Sequence, residues 1–306
     1  MKSSRFIINS LSAFVVIAAL MTGCTNEKDN GHLFRIHAEQ MESGSSKVLV
    51  NPTNLSSSWV EGEYIGLNEE NCEITKNGNE YSITCGEVPS TPIYAFYPIS
   101  MNALGNDIVV TGTSGSRTMT LRRIAVDFSD DLLTHKVLFP MAAYSETNNG
   151  TLHFDHLTGG LRLTIENSAL VPCTLSSVRI ITNGANEAAV APVSHKGVTI
   201  SWENQGLVVP GGQTGGVSGD ITVSYASEMR VMMRTSGNEG VVIPARVGST
   251  NGRIVFCVPA TVRSMTGISV TAYNSAGGEV FTLSKTIEAS IARNGLYDIP
   301  AIEIEN

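Results

Sequence analysis

Cys72-Glu-Ile-Thr-Lys-Asn-Gly-Asn-Glu-Tyr-Ser-Ile-Thr-Cys85 reads as a β-hairpin from its residues alone. Cys72 and Ile74 before the turn, and Tyr81, Ile83 and Cys85 after it, alternate with polar residues around Asn77-Gly78-Asn79, which is the period of two of a half-buried strand. If Gly78-Asn79 form the two-residue loop, Cys72 falls opposite Cys85 in a non-hydrogen-bonded pair, where Cα atoms stand about 4.5 Å apart. A disulfide accepts Cα separations of about 4.4–6.8 Å, so this register allows a Cys72–Cys85 bridge. If Asn77-Gly78 form a type I′ loop instead, Cys72 faces Ile83 and the thiols lie diagonally. Both registers stay open at this level, with two buried free thiols as the alternative to the bridge. Cys173 and Cys257 read as core residues.

The same texture extends in both directions. From Val48 onward, short runs of β-branched and aromatic residues are separated by Gly, Asn, Ser, Thr and Pro, with almost no sustained 3.6-residue period, and this is the pattern of stacked antiparallel sheets. Expected strands are Tyr64–Leu67, Ile93–Phe96, Asp107–Thr111, Leu152–Phe154, Leu161–Glu166, Ser177–Thr182, Gly197–Trp202, Ile221–Tyr225, Arg253–Val258, Ser269–Tyr273 and Glu279–Ser284. In Leu161-Arg-Leu-Thr-Ile165 the apolar residues face one way and Arg162 and Thr164 the other, so this strand covers a core on one face. The single helix-like segment is Asp127–Lys136, with acidic residues early and His135-Lys136 late, as the helix dipole favours. The fold class is therefore all-β, and strand spacing near ten residues suits two tandem antiparallel β-sandwich domains. The expected division is 1–23 for a leader, 24–47 for a tether and first strand, 48–168 for one sandwich and 169–306 for the next, with a boundary near Asn167–Pro172.

The N-terminal stretch carries an address. Lys2 and Arg5 precede an apolar run from Phe6 to Met21, and Thr22-Gly23-Cys24 follows, the pattern of a lipoprotein signal peptide with the lipid on Cys24. Asn9, Ser10 and Ser12 interrupt the run, which is shorter than the roughly 20 apolar residues of a membrane-spanning helix. The expectation is export and a membrane contact through the lipid. Thr25–Gly31 is a polar tether. In Leu33-Phe-Arg-Ile-His-Ala38, Phe34, Ile36 and Ala38 alternate with Leu33, Arg35 and His37, as in a first strand on one sandwich edge.

Composition and motifs exclude several functions. The formal net charge is −8, and cleavage after Gly23 would remove the cations Lys2 and Arg5 and no anion, taking it to −10, which argues against nucleic acid as a partner. Apolar residues make up 42% and charged residues 16%, which excludes global disorder. Gly211–Gly219 lacks the Lys-Ser/Thr pair and helix pattern of a phosphate loop. Gly112-Thr-Ser-Gly-Ser116 lacks the second glycine of a nucleophile elbow. His153 and His156 are three apart, so on a strand they face opposite ways and cannot share one ion; His153 and Asp155 share a face but make a poor zinc site. No catalytic residue, metal ligand or cofactor site is expected.

Further pieces occur in order along the chain: Trp59-Val-Glu-Gly-Glu-Tyr-Ile-Gly66, Tyr94-Ala-Phe-Tyr-Pro98, Leu138-Phe-Pro-Met-Ala-Ala143, His153-Phe-Asp-His-Leu157 with Leu161–Ile165, and Arg293-Asn-Gly-Leu-Tyr297. Physically these are strand anchors, with Trp59, Tyr94, Phe96 and Phe154 as large buried groups and Gly62, Gly66 and Pro98 at turns. As an ordered set they resemble the fimbrillins, the pilins and pilin-like outer-membrane lipoproteins of type V pili. The resemblance implies two tandem antiparallel β-sandwich domains of the immunoglobulin/transthyretin-like kind, a lipidated Cys24, and other pilin-like subunits as partners. It also implies that a protease cuts near the N-terminus, that the first strand leaves, and that a strand from a neighbour fills its groove. Phe34, Ile36 and Ala38 would then be the plug, and Lys47 and Arg35 the basic residues for processing. Lys47 stands where such proteins commonly carry Arg, and little chain follows Tyr297 to serve as a further donor strand. A tip, anchor or non-polymerising role is thus expected at least as much as a stalk role. The rival expectation is a surface lipoprotein that binds glycans or proteins.

Overall fold

Gly78 takes φ +59 while Asn79 stays out of the left-handed region, as in a type II′ turn. In this computed structural model Asn77 pairs with Glu80, Ile74 with Ile83 and Glu73 with Thr84. Gly78-Asn79 is therefore the loop, and the diagonal register is not used. The structure describes residues 32–38, 40–41, 44–45, 49–50, 57–183, 193–202, 228–236, 238–260, 262–291 and 295–304. Every regular element among them is a strand, so the fold is all-β.

The hairpin belongs to a closed seven-stranded sheet. Its order is His32–Ala38, Thr151–His156, Met141–Ser145, Ile93–Tyr97, Tyr64–Leu67, Glu70–Asn77 and Glu80–Cys85, which returns to His32–Ala38. Here the expected pair of facing sheets takes the form of one sheet closed on itself, because the first strand bridges the two edges that would otherwise stand open. Trp59 fills the interior and meets Tyr97 and Phe154 edge-on at 5.4 Å each. Such pairs contribute about 0.5–1.5 kcal/mol beyond the area they bury.

A long hairpin, Asn106–Thr113 with Ser116–Phe128, leads out of this sheet. The second strand has the burial of a period-two strand that changes phase midway: Met119 and Leu121 are buried, then Ile124, Val126 and Phe128. The ladder explains the slip, since Asp107 faces Arg123 and Ile108 faces Leu121, leaving Arg122 as an extra residue at a bulge. The strand also changes partner there. Arg117–Leu121 runs parallel to Val198–Trp202, and Ile124–Phe128 runs parallel to Val231–Thr235.

Through that pairing Ser116–Phe128 joins a second sheet whose described order includes Glu279–Ile291, Val262–Tyr273, Ser177–Asn183 and Glu228–Thr235. Strands from both sides of the expected 168/169 division thus share one sheet. A third sheet sets Gly159–Asn167 antiparallel to Gly252–Ala260 and parallel to Leu296–Asp298 and Ile302–Ile304. Leu161, Leu163 and Ile165 are buried while Arg162 and Thr164 are half-buried, the one-sided coverage read from the alternation.

The expected helix Asp127–Lys136 does not form. Asp127 and Phe128 end a strand that pairs with His135-Lys136, and the intervening turn is held by Ser129. Its Oγ donates to the Thr134 carbonyl at 2.9 Å and accepts from the Thr134 N–H at 3.1 Å. A Ser side chain that captures nearby backbone groups competes with helix, and Asp131 does the same by accepting from Leu133 N–H at 3.0 Å. Strands Ser116–Phe128 and Met141–Ser145 were not expected. The strand expected at Ile221–Tyr225 and the Gly211–Gly219 loop lie outside the described residues.

Candidate functional site

The first strand, His32–Ala38, seats its two faces differently. Phe34 is 1% and Ile36 4% exposed, while Leu33 is 60% exposed. Phe34 is in register with Ile83 on the antiparallel side, and Ile36 with Leu152 on the parallel side, so both enter the closed sheet's interior. Burying a Phe or Ile side chain contributes about 1.5–3 kcal/mol, while ordering backbone costs about 1–2 kcal/mol per residue. Two apolar anchors cannot hold seven residues on their own. The strand depends equally on its two ladders, to Glu80–Cys85 and to Thr151–His156.

Those ladders differ in sense. The six other pairings around this closed sheet, the contact to Glu80–Cys85 among them, are all antiparallel. Only His32–Ala38 against Thr151–His156 runs parallel. Parallel neighbours cannot be joined by a tight turn, so this strand is delivered to its slot by a separate passage of chain. Arg35 N–H donates to the Gly150 carbonyl at 2.8 Å, and its exposed guanidinium lies 3.7 Å from Glu80.

Phe34 and Ile36 are buried in the slot, and Ala38 stands in register with Phe154. Arg35 lies within the strand, paired with Ser82 and Thr151. Cys24 and Lys47 lie outside the described residues. A disulfide joins Cys72 and Cys85, whose Cα atoms are 5.0 Å apart. Both cysteines point into the closed sheet, at 1% and 2% exposure, and Cys85 is in register with His32 at the start of the plug strand. The bridge therefore braces one wall of the slot and leaves the strand itself covalently free. Cys173 is half-buried; Cys257 is buried, and that burial pushes its thiol up to about 12.

The opposite wall of the slot is held from outside. Asp155, on the strand beside the plug, accepts from Lys196 Nζ at 2.8 Å and meets His195 Nε2 at 2.7 Å. Burial raises the Asp155 carboxyl, but those two partners outweigh it and hold the group below its usual range. Lys196 also donates to the His153 carbonyl at 3.2 Å. His195 and Lys196 lie at the tip of the hairpin Val193–His195 with Val198–Trp202, so a distant part of the chain grips this wall. Sequence reasoning missed that contact, because nothing local links residues 155 and 196. His153 is exposed and His156 fully buried, the opposite faces expected from their spacing.

Other polar groups are structural. Tyr97 donates to Glu63 Oε2 at 2.5 Å, and burial raises the Glu63 carboxyl against the lowering effects of Tyr97 and Lys136. His135, fully buried, accepts the Cys257 N–H on Nε2 at 3.1 Å. Burial lowers its pKa to about 3. Ser114 sits in the hairpin turn between Thr113 and Ser116 and gives its hydroxyl to Glu69 at 2.8 Å. Among the described residues no group of three or more metal-binding side chains comes together.

No family model matches the chain, and no curated protein matches it. Among solved structures, the chain is similar to a candidate cell adhesion protein of Bacteroides ovatus, with 10% identity, 90% of this chain and 93% of that one covered, and a TM-score of 0.40. It is also similar to a fimbrial protein of Bacteroides ovatus, with 10% identity and a TM-score of 0.30, where 90% of this chain spans 49% of that one. A third similarity, to a candidate cell adhesion protein of Bacteroides fragilis, has 10% identity, covers 89% of this chain and 94% of that one, and has a TM-score of 0.30.

Proposed function

We propose that this chain is a fimbrillin-like surface lipoprotein that acts in fimbrial assembly or cell adhesion through strand exchange and surface contacts, without catalysis. One observation carries the reading: the seven-stranded sheet is closed by a separately delivered strand, anchored by Phe34 and Ile36 and free of the disulfide that braces its slot. Removing that strand would open two unpaired edges and a row of apolar pockets, which is what strand addition recognises. The lipid on Cys24, the outer-membrane location and partnership with other pilin-like subunits belong to the same proposal. So does the arrangement as two tandem sandwiches.

Within this reading a tip, anchor or non-polymerising component fits at least as well as a stalk subunit. Strand Ile302–Ile304 is committed to its own sheet, with both isoleucines 1% exposed and Ser168 N–H and Oγ donating to the Ile304 carbonyl. Cleavage at Arg35 would first require the strand to unzip from both neighbours. Incubating anchored protein with a trypsin-like protease tests the proposal. The expected result is loss of the N-terminal segment and, once the protease has been inhibited, capture by the remaining body of a labelled peptide of sequence Leu33–Ala38. A body that keeps its strand and captures nothing overturns the reading, and SDS-resistant ladders would distinguish a stalk subunit from the other forms.

A second reading rests on Tyr144, 39% exposed and packed at a 51° tilt against its register partner Tyr94, ring centres 5.0 Å apart. Sugar faces stack on such rings, so glycan binding that disappears in Tyr144→Ala would favour this alternative.

A further inference from the structure

A cleft of about 60 Å³ opens between the closed sheet and the second one, with Glu63 in its lining. Met101, Leu104 and Leu138 give it apolar walls, and Asp127 and Lys136 carry its other charges. A water needs roughly 10–15 Å³, so the cleft holds a few waters or the end of one side chain, and no sugar ring. Its charges do not cancel. Asp127 and Lys136 are register partners of opposite sign, which leaves the Glu63 carboxyl unmatched. Tyr97 donates to Glu63 Oε2 at 2.5 Å, and among the described residues Oε1 has no hydrogen-bond donor. Burial raises this carboxyl, and Lys136 acts on it by charge alone, so a cation seated at Oε1 would supply compensation that the fold does not.

Leu104, on the rim of this cleft, is held in a conformation that its own fold does not reward. Ala103 and Asn106 are register partners across the turn Leu104-Gly105, whose φ angles are +52 and +78. Such a turn favours Asn-Gly, and a left-handed leucine is an outlier. Leu104 is also 65% exposed, so it adds little to the core. The turn is nonetheless fixed. Asn106 Oδ1 accepts the Ala125 N–H at 2.9 Å and its Nδ2 donates to the Leu104 carbonyl at 3.5 Å, while a Cβ on Gly105 would stand 3.1 Å from that of Ala125. A costly conformation that keeps an apolar side chain at the mouth of a charged cleft suits a ligand with an apolar stem and a cationic end. We infer that the cleft receives a lysine side chain of a partner protein, its methylenes along Met101, Leu104 and Leu138 and its ammonium at Glu63 Oε1. Lysine is a compact point charge on a four-carbon stem, whereas the arginine fork prefers two carboxylate oxygens, one of which Tyr97 already occupies. The chain's net charge of −8 steers basic partners toward it. The first strand need not leave its slot for this contact.

Ligand-observed NMR on the full chain tests this with n-butylammonium, the peptide Gly-Gly-Lys-Gly-Gly and the same peptide acetylated on its lysine Nζ. The lysyl peptide is expected to bind about threefold or more tightly than butylammonium, to be displaced by it, and to lose binding on acetylation. Glu63→Gln keeps an acceptor for the Tyr97 hydroxyl and should weaken the lysyl peptide roughly fivefold or more. Leu104→Asn suits the turn, so it should weaken binding about threefold without lowering the denaturation midpoint. Equal binding of the acetylated peptide, binding unchanged by either substitution, or no binding of either amine overturns the inference. Butylammonium that binds as tightly as the lysyl peptide overturns the protein partner and assigns the cleft to a free amine.

Discussion

Gly66 lies against the tip of the Phe96 ring. The two are register partners, and a Cβ built on Gly66 would stand 2.1 Å from the ring. The Arg117 guanidinium also lies over this ring, 4.7 Å from its centre, and restricts how the ring can move aside. Gly66→Ala is therefore expected to cost about 1–3 kcal/mol as an overpacking change. Adding Phe96→Leu should recover part of that loss, and denaturant titration of the four-member cycle would reveal the coupling. Additive effects would mean that the ring yields.

Phe34→Ala is expected to lower stability by about 3–5 kcal/mol, the usual range for a buried Phe. Asp at Phe34 or Ile36 should cost more, because it buries a charge without a partner. Urea unfolding at neutral pH measures this. An unchanged midpoint for Phe34→Asp would remove the first strand from the folded core.

Glu63 has a sign that can be tested. Its carboxyl is raised in the folded state by burial, so between the unfolded value and the raised one the native state holds the extra proton, and stability falls as pH rises through that window. Glu63→Gln keeps an acceptor for the Tyr97 hydroxyl and cannot ionise. Its stability relative to the parent should therefore rise as pH increases from 4 to 7. A constant difference across that range would show that the charge is not felt.

His135 works in the opposite direction. Its pKa is lowered from 6.5 to about 3 by burial, so below pH 6.5 the unfolded chain takes up a proton that the native state refuses. Stability is lost as pH falls, at up to about 1.4 kcal/mol per pH unit for a single group. His135→Gln should unfold more easily at pH 7, since the buried Cys257 N–H loses a well-placed acceptor, yet show a shallower acid slope. An identical slope would assign the acid sensitivity elsewhere.

Asp155→Asn removes the charge that His195 and Lys196 share. Partly exposed ion pairs contribute about 0.2–1 kcal/mol, so global stability should change little. Amide exchange should nonetheless quicken in the Val193–Trp202 hairpin. Unchanged protection there would mean that the hairpin is held by its ladder to Ser116–Phe128 alone.

Much of the architecture could be read locally. Alternation located about half of the described strands, and the Cys72–Cys85 hairpin was legible down to its two candidate registers because turn type and period are set by adjacent residues. The failures have equally physical causes. Ser116–Phe128 was missed because the bulge at Arg122 shifts its apolar phase, which hides a period-two pattern. Asp127–Lys136 carries charges arranged as in a helix, yet the Ser129 and Asp131 side chains capture their own backbone first.

What the sequence determined by itself is the all-β class, the inward residues Phe34 and Ile36 of a candidate first strand, and the cysteines brought face to face by one turn. Each depends on neighbours within a few positions. Only the tertiary structure decided that this strand closes a seven-stranded sheet, that one of its ladders is parallel, and that Lys196 grips the wall beside it. Those relations join residues more than a hundred positions apart in the case of the parallel ladder and 41 apart for Asp155 and Lys196. A period of two states which face a residue takes, but it holds no information about which other strand that face will meet.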